Sequence, residues 1–168
     1  ARLAELAKDA VRTIVAPAAP SPVLLICEHA GNVVPAPWRN LGLAADFLDT
    51  HFAWDAGAAA LTEALAAKLK ATAVLAAYSR LFLDINRFPG EWDCCRPDLA
   101  GIPVPANLDI HDRERAQREK IAQQDGLAVL RRLLAQSDSA TGPRSTGMVD
   151  ATHVIWPETA MSYFLNHE

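Results

Sequence analysis

Cysteine is scarce, and its three residues are not spaced as a disulfide framework or a CxxC zinc pair requires: Cys27 lies in an apolar run, and Cys94 and Cys95 are adjacent. This argues against a small disulfide-stapled fold and makes a reducing cytoplasm the expected location. No apolar run approaches the roughly eighteen residues of a membrane span. Arg2, Glu5, Lys8, Asp9 and Arg12 interrupt the stretch where a signal peptide needs continuous apolar sequence. Runs of like charge are also missing, and 16 basic against 20 acidic residues leave a net charge of −4, so neither nucleic acid nor an anionic membrane is an expected partner. The absence of GxGxxG, P-loop and GxSxG motifs removes direct support for hydride transfer, nucleotide hydrolysis and serine-type acyl transfer. The chain opens on Ala1 instead of methionine, and the expectation is a fragment or a processed product.

What is present fits one globular domain of ordinary composition, with 51% hydrophobic and 21% charged residues in 168. Leu3, Leu6, Ala10 and Ile14 predict an opening helix within residues 1–15, and Pro17 to Pro22 a stiff connector. Val23 to Cys27 is a short apolar run typical of a strand buried on both faces. Residues 41–53 show no clear period, whereas Ala58, Leu61, Leu65 and Leu69 predict a helix over 56–70. Thr72 to Ala77 and Leu81 to Ile85 read as two further strands. Strand, loop, helix and strand in this order is the βαβ pattern of an α/β domain. Prolines at 89, 97, 103 and 105 predict a long surface loop, and Asp109 reads as the N-cap of a charged helix over 110–135, in which Gly126 marks a kink or break. Beyond it the sequence turns small and polar, with one weak strand candidate at Thr152 to Trp156. The expected organisation is a domain over residues 1–136 and an atypical tail, truncated or divergent, over 137–168.

Three clusters can carry chemistry. Glu28-His29-Ala30-Gly31-Asn32 stands where a buried strand ends, the edge of an open α/β sheet at which ligands bind. Gly31 there allows a tight turn or a close backbone approach. His51 and Asp55 lie four residues apart, before the surest helix. Together they offer neutral nitrogen and carboxylate oxygen to a metal, although Asp55 also suits a helix cap. In the third, Tyr78-Ser79-Arg80 and Asp84-Ile85-Asn86-Arg87, the arginine fork can clamp a carboxylate through two parallel hydrogen bonds. The structural alternative is an arginine paired with Asp84 or Asp93. The adjacent cysteines read as ordinary loop residues.

The three clusters, CEHAGN at 27–32, HFAWDAGA at 51–58 and YSRLFLDINR at 78–87, with DRERAQR at 112–118, resemble in order and spacing the N-formylglutamate amidohydrolase family. The resemblance covers about Val23 to Leu134. It implies an α/β three-layer sandwich with a mixed, mostly parallel sheet, similar to zinc carboxypeptidases and aminoacylases. It also implies metal-assisted hydrolysis of the formyl amide of N-formyl-L-glutamate, or of a related N-acyl amino acid, in histidine breakdown. The implied metal is zinc or another divalent ion, held by His29 with His51 or Asp55 as the next candidates. Arg80, Asn86 and Arg87 would hold substrate carboxylates, and Glu28 would be the base. Carboxypeptidases carry Glu three residues after their first metal-binding His, where this chain has Asn32. The resemblance further implies a later His-Ser pair; His153 and His167 are the histidines after His111, and neither precedes Ser. The alternative is a catalytically incomplete member that keeps the fold and binds an acidic small molecule.

Overall fold

A computed structural model describes residues 2–14, 21, 23–138 and 153–155, with the backbone alone for 134–138 and 153–155. The connector expected at 17–22, apart from Ser21, and most of the tail expected from 137 onward lie outside the described residues. Helix α1 (Arg2–Asp9) leads into strand β1 (Val11–Ile14), followed by β2 (Val23–Cys27), helix α2 (Ala58–Leu69) and β3 (Thr72–Ala76). A two-stranded ribbon, β4 (Asp98–Leu99) and β5 (Ile102–Pro103), precedes the short helix α3 (Pro105–Leu108), and α4 (Asp112–Glu119) then runs through a π-helical turn, Lys120–Asp125, towards α5 (Ala128–Asp138). Strand β6 (His153–Ile155) completes the main sheet in the order β1-β3-β2-β6. In that sheet β2 runs parallel to both β3 and β6, while β1 is antiparallel to β3. The molecule is therefore a mixed α/β fold. Among the described residues, no helix is long and apolar enough to cross a membrane.

The unbroken apolar sequence of β2 follows from its position, because both faces of the sheet are covered. Leu24 and Ile26 join Val74 and Ala76 in one core, and Leu25 and Cys27 join Ala73 and Leu75 in the other, where Ala66 of α2 packs. The βαβ unit is as the sequence predicts. Three expectations need correction. The opening helix stops at Asp9, and Val11–Ile14 leaves it to pair as an antiparallel strand along β3; three β-branched residues, Val11, Thr13 and Ile14, and a free sheet edge outweigh helical spacing. His111, not Asp109, is the N-cap residue of the later helix.

The third correction concerns Leu81 to Ile85, which form no strand although all five are buried. Side chains and loop backbone take the place of a ladder. Asn107 Nδ2 donates to the Leu81 carbonyl at 2.9 Å, Arg118 donates to that of Phe82 at 3.2 Å, and the Asp84 N–H donates to the Cys94 carbonyl at 2.8 Å. A short apolar run reports burial, and periodicity alone does not say what satisfies its backbone.

Gly31 is where the end of β2 approaches the chain leaving β3. A Cβ there would stand 2.1 Å from the Ala77 carbonyl oxygen, which accepts the Val33 N–H at 3.2 Å. Gly31→Ala must part these backbones. A loss of roughly 1–3 kcal/mol is expected, as for other overpacked sites, read as a lower urea midpoint; an unchanged midpoint would mean the two segments separate freely.

Candidate functional site

His29 follows β2 by two residues, and its imidazole is 8% exposed between two carboxylates. Nε2 lies 2.9 Å from Asp84 Oδ1, and Nδ1 lies 3.4 Å from Asp55 Oδ2. Each carboxylate is itself fixed. Asp84 Oδ1 also accepts the Asn86 N–H at 2.9 Å, and Asp55 Oδ1 is ion-paired with Arg80, whose Nη2 also donates to the His51 carbonyl at 2.9 Å. The Asp55 N–H donates to the His29 carbonyl at 3.0 Å, so backbone as well as side chains join these two sites.

Chemistry follows from the tautomer. Ionised Asp84 only accepts hydrogen bonds, so it selects the imidazole with its proton on Nε2 and turns the Nδ1 lone pair towards Asp55. Two lone-pair centres 3.4 Å apart repel unless a proton or a cation lies between them. The cluster is therefore stable with His29 protonated, or with a cation held between Nδ1 and Asp55. Burial by itself pushes the Asp84 pKa up. Its hydrogen bond and charge interaction with His29, the Asn86 N–H and the Arg87 charge outweigh that and bring it below its ordinary 3.8.

The structure thus brings His29, Asp55 and Arg80 together, and adds Asp84. His51 contributes its backbone carbonyl to Arg80, while its exposed ring lies against Phe52 with centroids 4.2 Å apart. Glu28 is 3% exposed beside His29. Asn86 is half-buried next to Asp84; Arg87 is exposed, its Nε 2.9 Å from Asp93 Oδ2, which is the pairing raised as the structural alternative. Asp55 does not cap α2 with its side chain, since Gly57 occupies the N-cap. At the position of the carboxypeptidase Glu, Asn32 donates to the Leu48 carbonyl at 3.1 Å and to Asp49 Oδ1 at 3.0 Å, which ties the loop after β2 to the turn at 45–49.

Two chemically suggestive groups turn inward. Tyr78 donates to the Leu6 carbonyl at 2.7 Å, and burial followed by the charge of Asp9 raises its pKa from 10.0 to about 12. Cys94 donates to the Phe88 carbonyl, and its thiol, buried and beside Cys95, is pushed up to about 12, which suppresses the thiolate. The expectation of ordinary surface-loop cysteines is corrected: Cys94 and Cys95 both lie in a 3-10 helical turn, Trp92–Cys95, and are buried in the main core. The residue that sequence reasoning missed as part of the site is Asp84, considered there as an arginine partner. Its signal was a lone carboxylate inside an otherwise apolar run.

Fold and cluster together define a mixed α/β domain with a histidine-carboxylate centre at the end of a parallel strand. A sequence model of N-formylglutamate amidohydrolases matches residues 21–146, and the chain belongs to that family. A crystal structure of a gene product from Agrobacterium tumefaciens is similar, with a TM-score of 0.69 and 35% sequence identity over 78% of this chain and 50% of that one. Two apolipoprotein N-acyltransferases, from Bradyrhizobium diazoefficiens and Rhodopseudomonas palustris, are 55% and 48% identical to this chain over 40 residues. Those segments make up 24% of this chain and 7% and 8% of the two proteins. The chain thus spans half the solved neighbour and a small fraction of these curated relatives.

The Asp84 shift has a definite sign in stability. A carboxylate whose folded pKa is depressed stabilises the fold fully above its unfolded value, near 3.8, and loses that contribution as pH falls through the folded value. Urea midpoints measured from pH 7 down to pH 2 are expected to decline below about pH 4, and to decline less steeply in Asp84→Asn. Parallel curves for the two proteins would show that Asp84 is not held as an anion.

Proposed function

We propose that this chain is the His29-bearing part of a metal-dependent amide hydrolase acting on N-formyl-L-glutamate or a related N-acyl amino acid. The observation that carries the reading is His29 fixed between Asp84 and Asp55. A metal-binding histidine characteristically gives its second ring N–H to a carboxylate, which sets the tautomer and raises the basicity of the ligating nitrogen. Asp84 has that place here. His29 Nδ1 and the Asp55 carboxylate are nitrogen and oxygen donors of the kind zinc accepts, and other divalent ions suit them too. They fit a metal as part of a ligand set; among the described residues no group of three or more His, Cys, Asp or Glu side chains is arranged to hold one. When bound, such an ion would polarise the acyl carbonyl and bring the pKa of water down to about 7.

The remaining roles fall to the chain's own groups. Arg80 holds Asp55 in place and neutralises part of the charge that His29 faces. Glu28, buried beside His29, would accept the proton of the attacking water and return it to the departing amine nitrogen, so that the carbon–nitrogen bond breaks to give a free amino acid and a carboxylic acid, formate for a formyl substrate. Arg87 would exchange Asp93 for a substrate carboxylate, and Asn86 would add a hydrogen bond. A three-layer architecture belongs to the same proposal: α2 covers one face of the sheet, and the 81–85 segment with the later helices packs on the other. Three buried free thiols suit a reducing compartment.

The second reading is a member that binds an acidic small molecule without hydrolysing it, favoured by the incomplete ligand set among the described residues. Elemental analysis of chain purified without added metal, followed by zinc titration, separates the two. Under the hydrolase reading about one zinc binds per chain, Asp84→Asn weakens binding roughly 10–100-fold, and His29→Ala loses metal and N-formyl-L-glutamate hydrolysis together. A folded chain that takes up no zinc would favour the binding reading. Arg87→Lys keeps the charge and loses the fork, so KM is expected to rise several-fold with little change in kcat; an unchanged KM would remove Arg87 from the substrate site.

A further inference from the structure

The π-helical turn Lys120–Asp125 lies outside the roles given above, and it interrupts the helix that packs on the Leu81 to Arg87 segment. The Gly126 N–H donates to the Ile121 carbonyl at 2.9 Å, five residues back. In a regular α-helix, residues five apart are about 140° away from each other around the axis. Hydrogen bonding over five residues brings them much closer to one face. Arg118 and Gln123 are five apart, are 0% and 3% exposed, and reach the same segment of chain: Arg118 donates to the Phe82 carbonyl at 3.2 Å, and Gln123 Nε2 donates to the Arg87 carbonyl at 3.0 Å. Towards the other edge of that segment, Arg115 donates to the Glu91 carbonyl at 2.8 Å, and the Gly90 N–H donates to Glu119 Oε1 at 2.8 Å. One helix therefore grips the backbone from Phe82 to Glu91 at four points. The turn also has a specific requirement at its end, since a Cβ on Gly126 would stand 2.5 Å from the Ala122 carbonyl oxygen and 2.9 Å from Ala10 Cβ.

We propose that Gln123 is a positioning residue for Arg87, brought onto the Arg87 carbonyl by the π-helical turn, and that it fixes where the Arg87 guanidinium is presented to substrate. Burying a glutamine amide costs free energy wherever its hydrogen bonds are not all made, and here the bond that offsets part of that cost is the one to the Arg87 carbonyl. The Gln123 Oε1 atom makes this plain, being buried with no hydrogen-bond partner of its own. The Arg87 side chain is 46% exposed and pairs with Asp93, while its N–H donates to the Asp84 carbonyl at 3.2 Å, so the carbonyl held by Gln123 is the point at which the later helix reaches this residue. The inference rests on the reading of Arg87 as the group that holds a substrate carboxylate.

The test is Gln123→Met, which keeps the length and volume of the side chain and removes the donor. In the full chain with zinc added, KM for N-formyl-L-glutamate is expected to rise five- to tenfold with kcat within about twofold, the size of one lost hydrogen bond. Amide hydrogen exchange is read on the same protein, so that a chain without hydrolytic activity, which would overturn the hydrolase reading, still decides the role of Gln123. The Asn86 and Arg87 amides are expected to lose about tenfold in protection while Ile26 and Val74, in the central strands, keep theirs. Unchanged Asn86 and Arg87 protection, or an equal loss in the central strands, would overturn the proposal. Should Gln123→Met fail to fold, exchange in the unmodified chain decides: the Arg87 and Gly126 amides are expected to open together with equal protection, and a tenfold difference between them would show that the turn does not hold Arg87.

Discussion

A carboxylate taken out of water needs several hydrogen bonds to remain charged, and the way Asp84 obtains them organises much of this molecule. At 5% exposure it faces His29, accepts the Asn86 N–H and lies near the Arg87 charge. Meeting these partners requires the end of β2 and the irregular chain after β3 to sit side by side. That approach explains why Gly31 is compelled to lack a side chain. The second carboxylate, Asp55, enters from a different loop and is steadied by Arg80, so three segments distant in sequence converge on one ring.

The parts of the fold that sequence made legible are those in which composition and period agree. Val23 to Cys27 is apolar at each position because both faces of β2 are covered, and the alanine-rich 56–70 stretch forms the expected helix, although the residues it buries are Thr62 and Ala66 while Leu61 and Leu69 of the expected stripe stay exposed. Val11–Ile14 was hidden because its residues extend a plausible helical stripe, and what makes it a strand is the exposed edge of β3, which only the folded chain supplies. Leu81 to Ile85 was misread for a related reason: burial was visible, but the partners of its backbone, Asn107, Arg118 and the Cys94 carbonyl, come from later in the chain. Gly126 did mark a break, although nothing in the local sequence announced that the break would be a π-helical turn.

The site shows the same division. His29 and Asp55 read as metal donors and Arg80 as a clamp for a substrate carboxylate; the fold brings the three together, with the Arg80 guanidinium on Asp55. Asp84 reads from the sequence as an arginine partner, and its pairing with His29 is not legible there because that partner lies 55 residues away. His51 and Tyr78 have the right functional groups, yet one supplies only a carbonyl to the cluster and the other anchors α1. Asn32 ties the loop after β2 to the turn at 45–49 through its side-chain amide. Arg87 carries a guanidinium that is exposed and paired with Asp93, while its backbone is held by a buried glutamine; the two ends of the residue answer to different constraints.

The separation between His29 and Asp84 also bears on the order in which the chain folds. Closing a free loop of 55 residues carries a length-dependent entropy cost of roughly 3.6 kcal/mol. Once β2 and β3 have paired, with Cys27 opposite Leu75, the loop left to close shrinks to about a dozen residues, and the same expression falls to roughly 2.2 kcal/mol. Assembly of the histidine-carboxylate centre is therefore favoured about tenfold after the parallel pair has formed rather than before it. The parallel pair thus lowers the entropic cost of closing the histidine-carboxylate centre, and the two central strands act as its scaffold.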